Sequence, residues 1–240
     1  MTVIDHTAGP VPKKGLFEDF IDILVHPREL FERNQNTSFV RPALVQSIFF
    51  LVVGLATMNL IAPYFEADML REMRRNAGGQ VPEGMSGVAG TMAKVTTVAL
   101  FAIAPWIVAL LGGAATWIAG RVIGARMSFG QSAMIASWSY TPAMIGAIIM
   151  AVQGAITDPA TIRGSGDAQL GPARFMDPET TAPPVMALVT QLDLFNLWGL
   201  VLTAIGVMVV ARKDLGTGAL AAVIKFALVA LATLIPALLR

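Results

Sequence analysis

The stretch LDLFNLWGLVLTAIGVMVVARKDLGTGALAAVIKFALVALATL, residues 192–234, decides the fold of this chain. It holds two long apolar runs, separated only by a short connection that carries Arg212, Lys213 and Asp214. A helix needs about 20 apolar residues to cross roughly 30 Å of hydrocarbon, at about 1.5 Å per residue. With its flanking residues each run reaches that length, so the stretch predicts two antiparallel membrane-spanning helices.

Three more stretches upstream have the same character. The predicted spans cover residues 43–63, 92–119, 130–153, 184–210 and 217–239. Composition agrees, since 55% of residues are hydrophobic, 14% are charged and the mean hydropathy is +0.66, whereas a soluble domain carries about 25% charged residues. We therefore predict an all-α, polytopic membrane protein with a five-helix transmembrane bundle and N-terminal amphipathic helices.

The N-terminal region predicts two short helices. In residues 15–24, GLFEDFIDIL, helical spacing places one set of apolar side chains on one face and Glu18, Asp19 and Asp22 on another. The apolar set is a candidate surface for a partner or for the membrane: Phe17, Phe20, Ile21 and Leu24, with Leu16 beside them. Residues 27–34 then begin with a proline, which suits the first turn of a helix.

This pattern divides the chain into a cytoplasmic N-terminal segment, residues 1–40, and a five-span domain, residues 41–240. A helix that binds anionic lipid has a basic polar face, whereas the face at residues 18–22 is acidic. We therefore expect the amphipathic helices to pack against the protein's own bundle rather than to bind the membrane surface.

Orientation follows from the basic residues beside the spans, which are retained on the cytoplasmic side. With the N-terminus inside, nine Lys and Arg residues lie on the cytoplasmic side and seven lie outside. We predict a multi-pass protein, of the inner (plasma) membrane if bacterial, with the N-terminus in the cytoplasm and the C-terminus outside.

The two longer connections face outward in this topology. Residues 64–76 have the spacing of a short helix lying at the interface. Residues 154–183 are rich in Gly and Pro, which favours turns and predicts a mobile, solvated connector, with a docking loop as the alternative. In the cytoplasmic connections, Ser128 with Gln131, and Asp214, have the pattern of helix N-caps.

Two charges lie within the predicted spans. Asp193 shares a polar stripe with Asn196 and Thr203, and Lys225 lies in the next span. A charge inside a bilayer is costly and suggests a functional role. Three readings stay open: Asp193 and Lys225 pair, each is satisfied separately, or both serve ion or proton coupling.

Several classes of function lack their motifs. The chain has no HExxH, no G-x-S-x-G and no glycine-rich phosphate loop. It has no cysteine, two histidines and a net charge of +1 with no basic patch. We expect no enzymatic activity, no catalytic residue, no metal site, no cofactor and no nucleic-acid partner.

Three stretches resemble the Yip1-domain membrane proteins, in particular their short, bacterial-type members. They are ILVHPRELFER at 23–33, SFGQSAMIASWSYTPAMIGAII at 128–149, and residues 192–234 quoted above. Tyr140, with Thr141 and Pro142 directly after it, resembles the family's element of an aromatic residue followed by a proline. The resemblance implies a five-span bundle with a cytoplasmic N-terminus. Eukaryotic relatives are associated with Rab GTPases, but this chain lacks their long N-terminal region and its acidic-leucine-glycine-proline signature, so a Rab-type GTPase is not an expected partner.

These observations predict a non-enzymatic scaffold or accessory subunit that binds other membrane proteins or shapes the bilayer. The expected partners are the lipid bilayer and other membrane proteins, or a second copy of the chain. The alternative is a small transporter or channel that uses a polar site at Asp193 and Lys225. A membrane enzyme has the least support.

Overall fold

The computed structural model describes residues 15–77 and 85–238. Every regular element in these residues is helical, which confirms the all-α fold class. The α-helices are α1 (Leu16–Val25), α2 (Pro27–Asn34), α3 (Val40–Asn76), α4 (Met85–Ile107), α5 (Gly113–Val122), α6 (Phe129–Ser139), α7 (Pro142–Ile156), α8 (Pro183–Val189), α9 (Leu194–Val210) and α10 (Leu215–Leu238).

Four helical segments of the described chain are each long and apolar enough to cross a membrane. They are Val40–Asn76, Gly87–Val122, Phe129–Ile156 and Leu215–Ile235. The span predicted at 184–210 is instead a bent pair, in which residues 183–192 meet α9 at an angle of 61°. Counted as one broken span, this pair brings the total to the five that the sequence predicts.

The crossings alternate in direction, so the connections fall at two ends of the bundle. Helices α1 and α2 share one end, here called the N-terminal end, with the connections at 123–128 and 211–214. The connection at 157–182 lies at the opposite end. Ser128 accepts a hydrogen bond from the Gln131 amide at 3.1 Å, and Asp214 accepts one from the Thr217 amide at 2.9 Å, so both predicted N-caps are confirmed.

The separate interfacial helix predicted at 64–76 is wrong, because these residues continue α3 without interruption. Helix α3 has 37 residues, which at about 1.5 Å per residue exceeds the roughly 30 Å of hydrocarbon. Its polar extension stands beyond the apolar part of the span. This polar extension of α3 packs against the connection at 157–182.

That connection is packed against α3, which corrects the prediction of a mobile connector. Arg71 of α3 is buried and donates hydrogen bonds to Asp68 at 2.8 Å, to Glu179 at 3.1 Å and to the carbonyl of Arg163. Asp68 in turn accepts from the Ser165 amide at 3.0 Å. The connection also forms three short 3₁₀ turns. Side chains of α3 thus form hydrogen bonds with the connection, and the Gly- and Pro-rich sequence of the connection did not predict them.

Small residues let the helices approach closely at the bundle centre. A Cβ atom added at Gly113 would lie 2.8 Å from the Ala133 Cα atom, and one added at Gly199 would lie 2.7 Å from the Ser139 carbonyl oxygen. Without a hydrophobic force between helices in lipid, such close approach is the main source of association.

The helices around the bundle centre are irregular at three places. A π-helical segment, Val108–Gly112, joins α4 to α5 just after Pro105. Residues 140–141 break the third span, and Asp193 lies at the bend before α9. Single π-helical turns occur often at functional sites, and all three irregularities lie near one cavity.

Candidate functional site

A cavity of about 610 Å³ lies between the π segment with α5, the break before α7, and helices α9 and α10. Its volume falls in the range of roughly 300–1,000 Å³ that is usual for ligand sites. Most of the wall is apolar. The polar side chains that line it are Ser139, Tyr140, Gln191, Asn196 and Lys225. We call this space the central cavity.

Lys225 supplies the charge of the central cavity. Its ammonium group donates a hydrogen bond to the Thr203 hydroxyl at 2.8 Å. That hydroxyl itself donates to the Gly199 carbonyl at 2.9 Å, which leaves its lone pairs to accept from Lys225. No carboxylate of the described residues lies within 4 Å of the ammonium nitrogen.

Asp193 has other partners and does not contact Lys225. One carboxylate oxygen accepts from the Phe195 amide at 2.9 Å and so caps α9. The other accepts from the Leu170 amide at 2.8 Å, which attaches the 157–182 connection to α9. In this structure the two side chains therefore do not pair, and each has hydrogen-bond partners of its own. Asp193 lies at the bend of the broken span rather than in mid-helix.

The family-like motif marks the break of the third span. Tyr140 lines the central cavity, and Pro142 begins α7 and is buried. Gln46 of α3 is fully buried and donates to the Ser137 carbonyl at 2.9 Å and to the Thr141 hydroxyl at 3.3 Å. A neighbouring helix thereby satisfies polar groups at the break, as a bilayer requires.

The structure therefore brings three of the predicted polar residues, Tyr140, Asn196 and Lys225, to one cavity. Thr203 does not line the cavity but accepts the hydrogen bond of Lys225. Asp193 and Pro142 lie at the starts of α9 and α7, two of the helices that bound the cavity. Asn196 is exposed, and its side-chain amide donates a long hydrogen bond of 3.5 Å to the Thr190 carbonyl.

A second candidate surface lies on α1, which turns Asp19 and Asp22 inward and leaves Glu18 exposed. One guanidinium nitrogen of Arg33, on α2, donates to Asp19 at 2.8 Å and to Asp22 at 2.6 Å. The three side chains are almost fully buried. Burial alone lowers the pKa of Arg33, but the hydrogen bonds and charges of both carboxylates outweigh it, so the pKa lies above its ordinary value. The two carboxylates therefore hold Arg33 in its charged form.

The apolar face of α1 is divided between the bundle and the exterior. Phe20 packs on Trp138, with ring centroids 5.0 Å apart, and Leu24 lies against the same core. Phe17, Ile21 and Val25 are 78%, 48% and 60% exposed. These three, at four-residue spacing, form what we call the outer stripe. The sequence placed Phe17, Phe20, Ile21 and Leu24 on a single surface, and the structure divides that set in two.

A family model, described as Yip1 domain, matches residues 21–238. The chain belongs to the Yip1 family. No curated protein and no solved structure matches it at a significant level. The match includes nearly all of the described helices, from within α1 to the end of α10.

Membership of the Yip1 family agrees with the residues that carried the resemblance. Residues 23–33 run from α1 into α2, residues 128–149 cover α6, the break and the start of α7, and residues 192–234 include α9. Within the described residues, no group of three or more His, Asp or Glu side chains is placed to hold a metal ion.

Two features of this Yip1 protein were missed from the sequence. The role of Gln46 could have been predicted from the sequence, because a lone amide inside an apolar span needs a buried hydrogen-bond partner. The ion pairs between Arg33 and the acidic residues of α1 were harder to predict from the sequence. Arg33 lies 14 residues from Asp19 along the chain, and only the turn between α1 and α2 brings the two together.

Proposed function

We propose that this protein is a non-enzymatic membrane scaffold that shapes the cytoplasmic leaflet through the outer stripe of α1. The observation that carries the proposal is the inverted orientation of α1. Asp19 and Asp22 bind Arg33, while Phe17, Ile21 and Val25 point away from the bundle. A helix held in this way presents apolar side chains to lipid and keeps Asp19 and Asp22 away from it, while the exposed Glu18 accepts a hydrogen bond from the Gly15 amide at the start of the helix.

The depth of α1 favours lipid as the occupant of the outer stripe. Phe20 contacts Trp138, which lies nine residues into α6 from Phe129, or about 13 Å at the rise of a helix. Helix α1 therefore lies alongside the third span rather than beyond its end. An apolar helix face at this depth inserts among the lipids of one leaflet and spreads them.

The basic residues favour the cytoplasmic leaflet as the one that α1 contacts. The N-terminal end carries Arg28, Arg41, Arg121, Arg126, Arg212 and Lys213. Lys and Arg in short connections are retained on the cytoplasmic side.

Reconstitution into vesicles tests the proposal. The wild-type protein should convert large vesicles into narrower or tubular ones, and the double variant Phe17→Glu with Ile21→Glu should lose this activity while melting at the wild-type temperature.

Ile23→Glu is the matched control, since Ile23 is fully buried and its replacement should unfold the N-terminal end. Equal vesicle remodelling by the double variant would overturn the proposal. A stoichiometric protein that co-purifies with wild type but not with the double variant would instead assign the stripe to a protein partner.

A further inference from the structure

We propose that the central cavity binds an anionic lipid, with the acidic head group on the Lys225 ammonium and an acyl chain along the apolar wall. This inference concerns the bundle interior and does not depend on the function proposed for α1. It starts from the charge of Lys225. The ammonium has three donors, one described partner, and that partner is a neutral hydroxyl.

A half-buried ammonium inside a membrane-spanning bundle needs an opposite charge or a route to water. The described residues place no carboxylate within 4 Å of it. Its partner Thr203 precedes the end of α9 at Val210 by seven residues, or about 10 Å. The ammonium thus points to a position well inside the bundle rather than to its N-terminal end, so a ligand is the natural source of the missing negative charge.

A second polar residue, Ser139, also favours an anionic ligand in the cavity. Ser139 lines the cavity and is 4% exposed, and its buried hydroxyl oxygen has no hydrogen-bond partner. Leaving such a group unpaired costs free energy that a bound acceptor would recover. Lys225 and Ser139 both donate, which suits the oxygens of a phosphate or carboxylate.

The walls show that the ligand is an amphiphile and not a small inorganic anion. Apart from its few polar groups the cavity is bounded by aliphatic and aromatic side chains, including Phe195, Phe226 and Val229. Leu111 of the π segment belongs to the wall and is 68% exposed. That much exposure indicates a wall that opens toward the surrounding lipid, through which an acyl chain enters sideways.

Thermal unfolding of the purified protein in detergent, with lipid added, tests this inference. Phosphatidylglycerol should raise the melting temperature, whereas phosphatidylcholine and inorganic phosphate should not. Lys225→Met should bind phosphatidylglycerol at least about tenfold more weakly, because a hydrogen-bonded charge is lost. Lys225→Arg should retain binding. Lys94→Met is the matched control, since Lys94 is an exposed lysine of α4, and it should bind as wild type does.

A cavity-filling variant keeps the test decisive if Lys225→Met fails to fold. Ala232→Phe leaves the Lys225 charge in place but fills part of the cavity with a larger side chain. It should therefore lose phosphatidylglycerol binding as well. The inference is overturned if Lys225→Met binds phosphatidylglycerol as tightly as wild type, or if phosphatidylcholine stabilises the protein equally. Stabilisation by inorganic phosphate alone would show an anion site without a lipid.

Discussion

Arg33 determines which way α1 faces. Two carboxylates share one of its guanidinium nitrogens inside the protein, and its Nε and Nη1 atoms have no hydrogen-bond partner. A buried cluster of this kind adds little net stability compared with apolar side chains, but breaking it leaves a charge unmatched. Its effect is therefore on orientation: it holds Asp19 and Asp22 inward and the outer stripe outward.

Replacing Arg33 with Met should lower the free energy of unfolding by about 3–5 kcal/mol, because Asp19 and Asp22 would remain buried without their cation. Adding Asp19→Asn and Asp22→Asn should restore most of the loss. Denaturant unfolding in detergent measures both changes. Arg28→Met is the control: Arg28 pairs with Glu32 on the exposed surface, and the variant should change stability by less than about 1 kcal/mol. Wild-type stability of Arg33→Met would show that the cluster does not hold α1.

A double-mutant cycle at Asp193 and Lys225 tests whether these charges act separately. Asp193→Ala removes the cap of α9 and should cost about 1 kcal/mol or more. In combination with Lys225→Met its effect should be additive to within about 0.5 kcal/mol, since the two side chains share no partner. A coupling energy well above that value would restore the pairing hypothesis. Limited proteolysis should also cut the 157–182 connection faster in Asp193→Ala.

At the scale of helices, the sequence predicted where apolar segments lie better than how they bend. Apolar length alone identifies a span, and the residues that cap α6 and α10 have a local signature, so these predictions held. The continuation of α3 beyond Pro63 and the packing of the 157–182 connection depend on Arg71 and its distant partners. Such contacts between residues 108 positions apart leave no periodic pattern in the sequence.

The same limit applies to the candidate site. Asp193 and Lys225 were recognisable because any charge in an apolar segment is conspicuous. Their separate partners were not recognisable, because the bend at Asp193 changes the depth that uniform helical counting assigns to it. The division of the apolar face of α1 likewise depends on Arg33, which lies on another helix.

Close packing between α9 and the third span gives a prediction at this scale. Gly199→Ala should destabilise the protein by about 1–3 kcal/mol, because the new methyl group meets the Ser139 carbonyl oxygen at 2.7 Å. Gly87→Ala is the matched control, since nothing lies within 4 Å of the added atom on α4, and it should be neutral or stabilise by up to about 1 kcal/mol. Melting temperatures in detergent measure both. An unchanged temperature for Gly199→Ala would contradict the close approach.

At the scale of the whole molecule, the absence of cysteine in all 240 residues makes topology directly measurable. Single cysteines at Lys213→Cys and Thr180→Cys report on the two ends of the bundle, and both positions are exposed. In intact cells a membrane-impermeant maleimide should label position 180, and position 213 should be labelled only after lysis. The reverse result would place the N-terminal end, and with it α1, outside.

The account as a whole depends on what the outer stripe of α1 contacts in a membrane. A fluorophore attached to Phe17→Cys in reconstituted vesicles measures this, with Glu29→Cys on the exposed surface of α2 as the reference position. We predict that position 17 is quenched by brominated lipids and protected from aqueous iodide, and that position 29 shows the opposite behaviour. Equal access of iodide to positions 17 and 29 would contradict insertion of α1 into the leaflet.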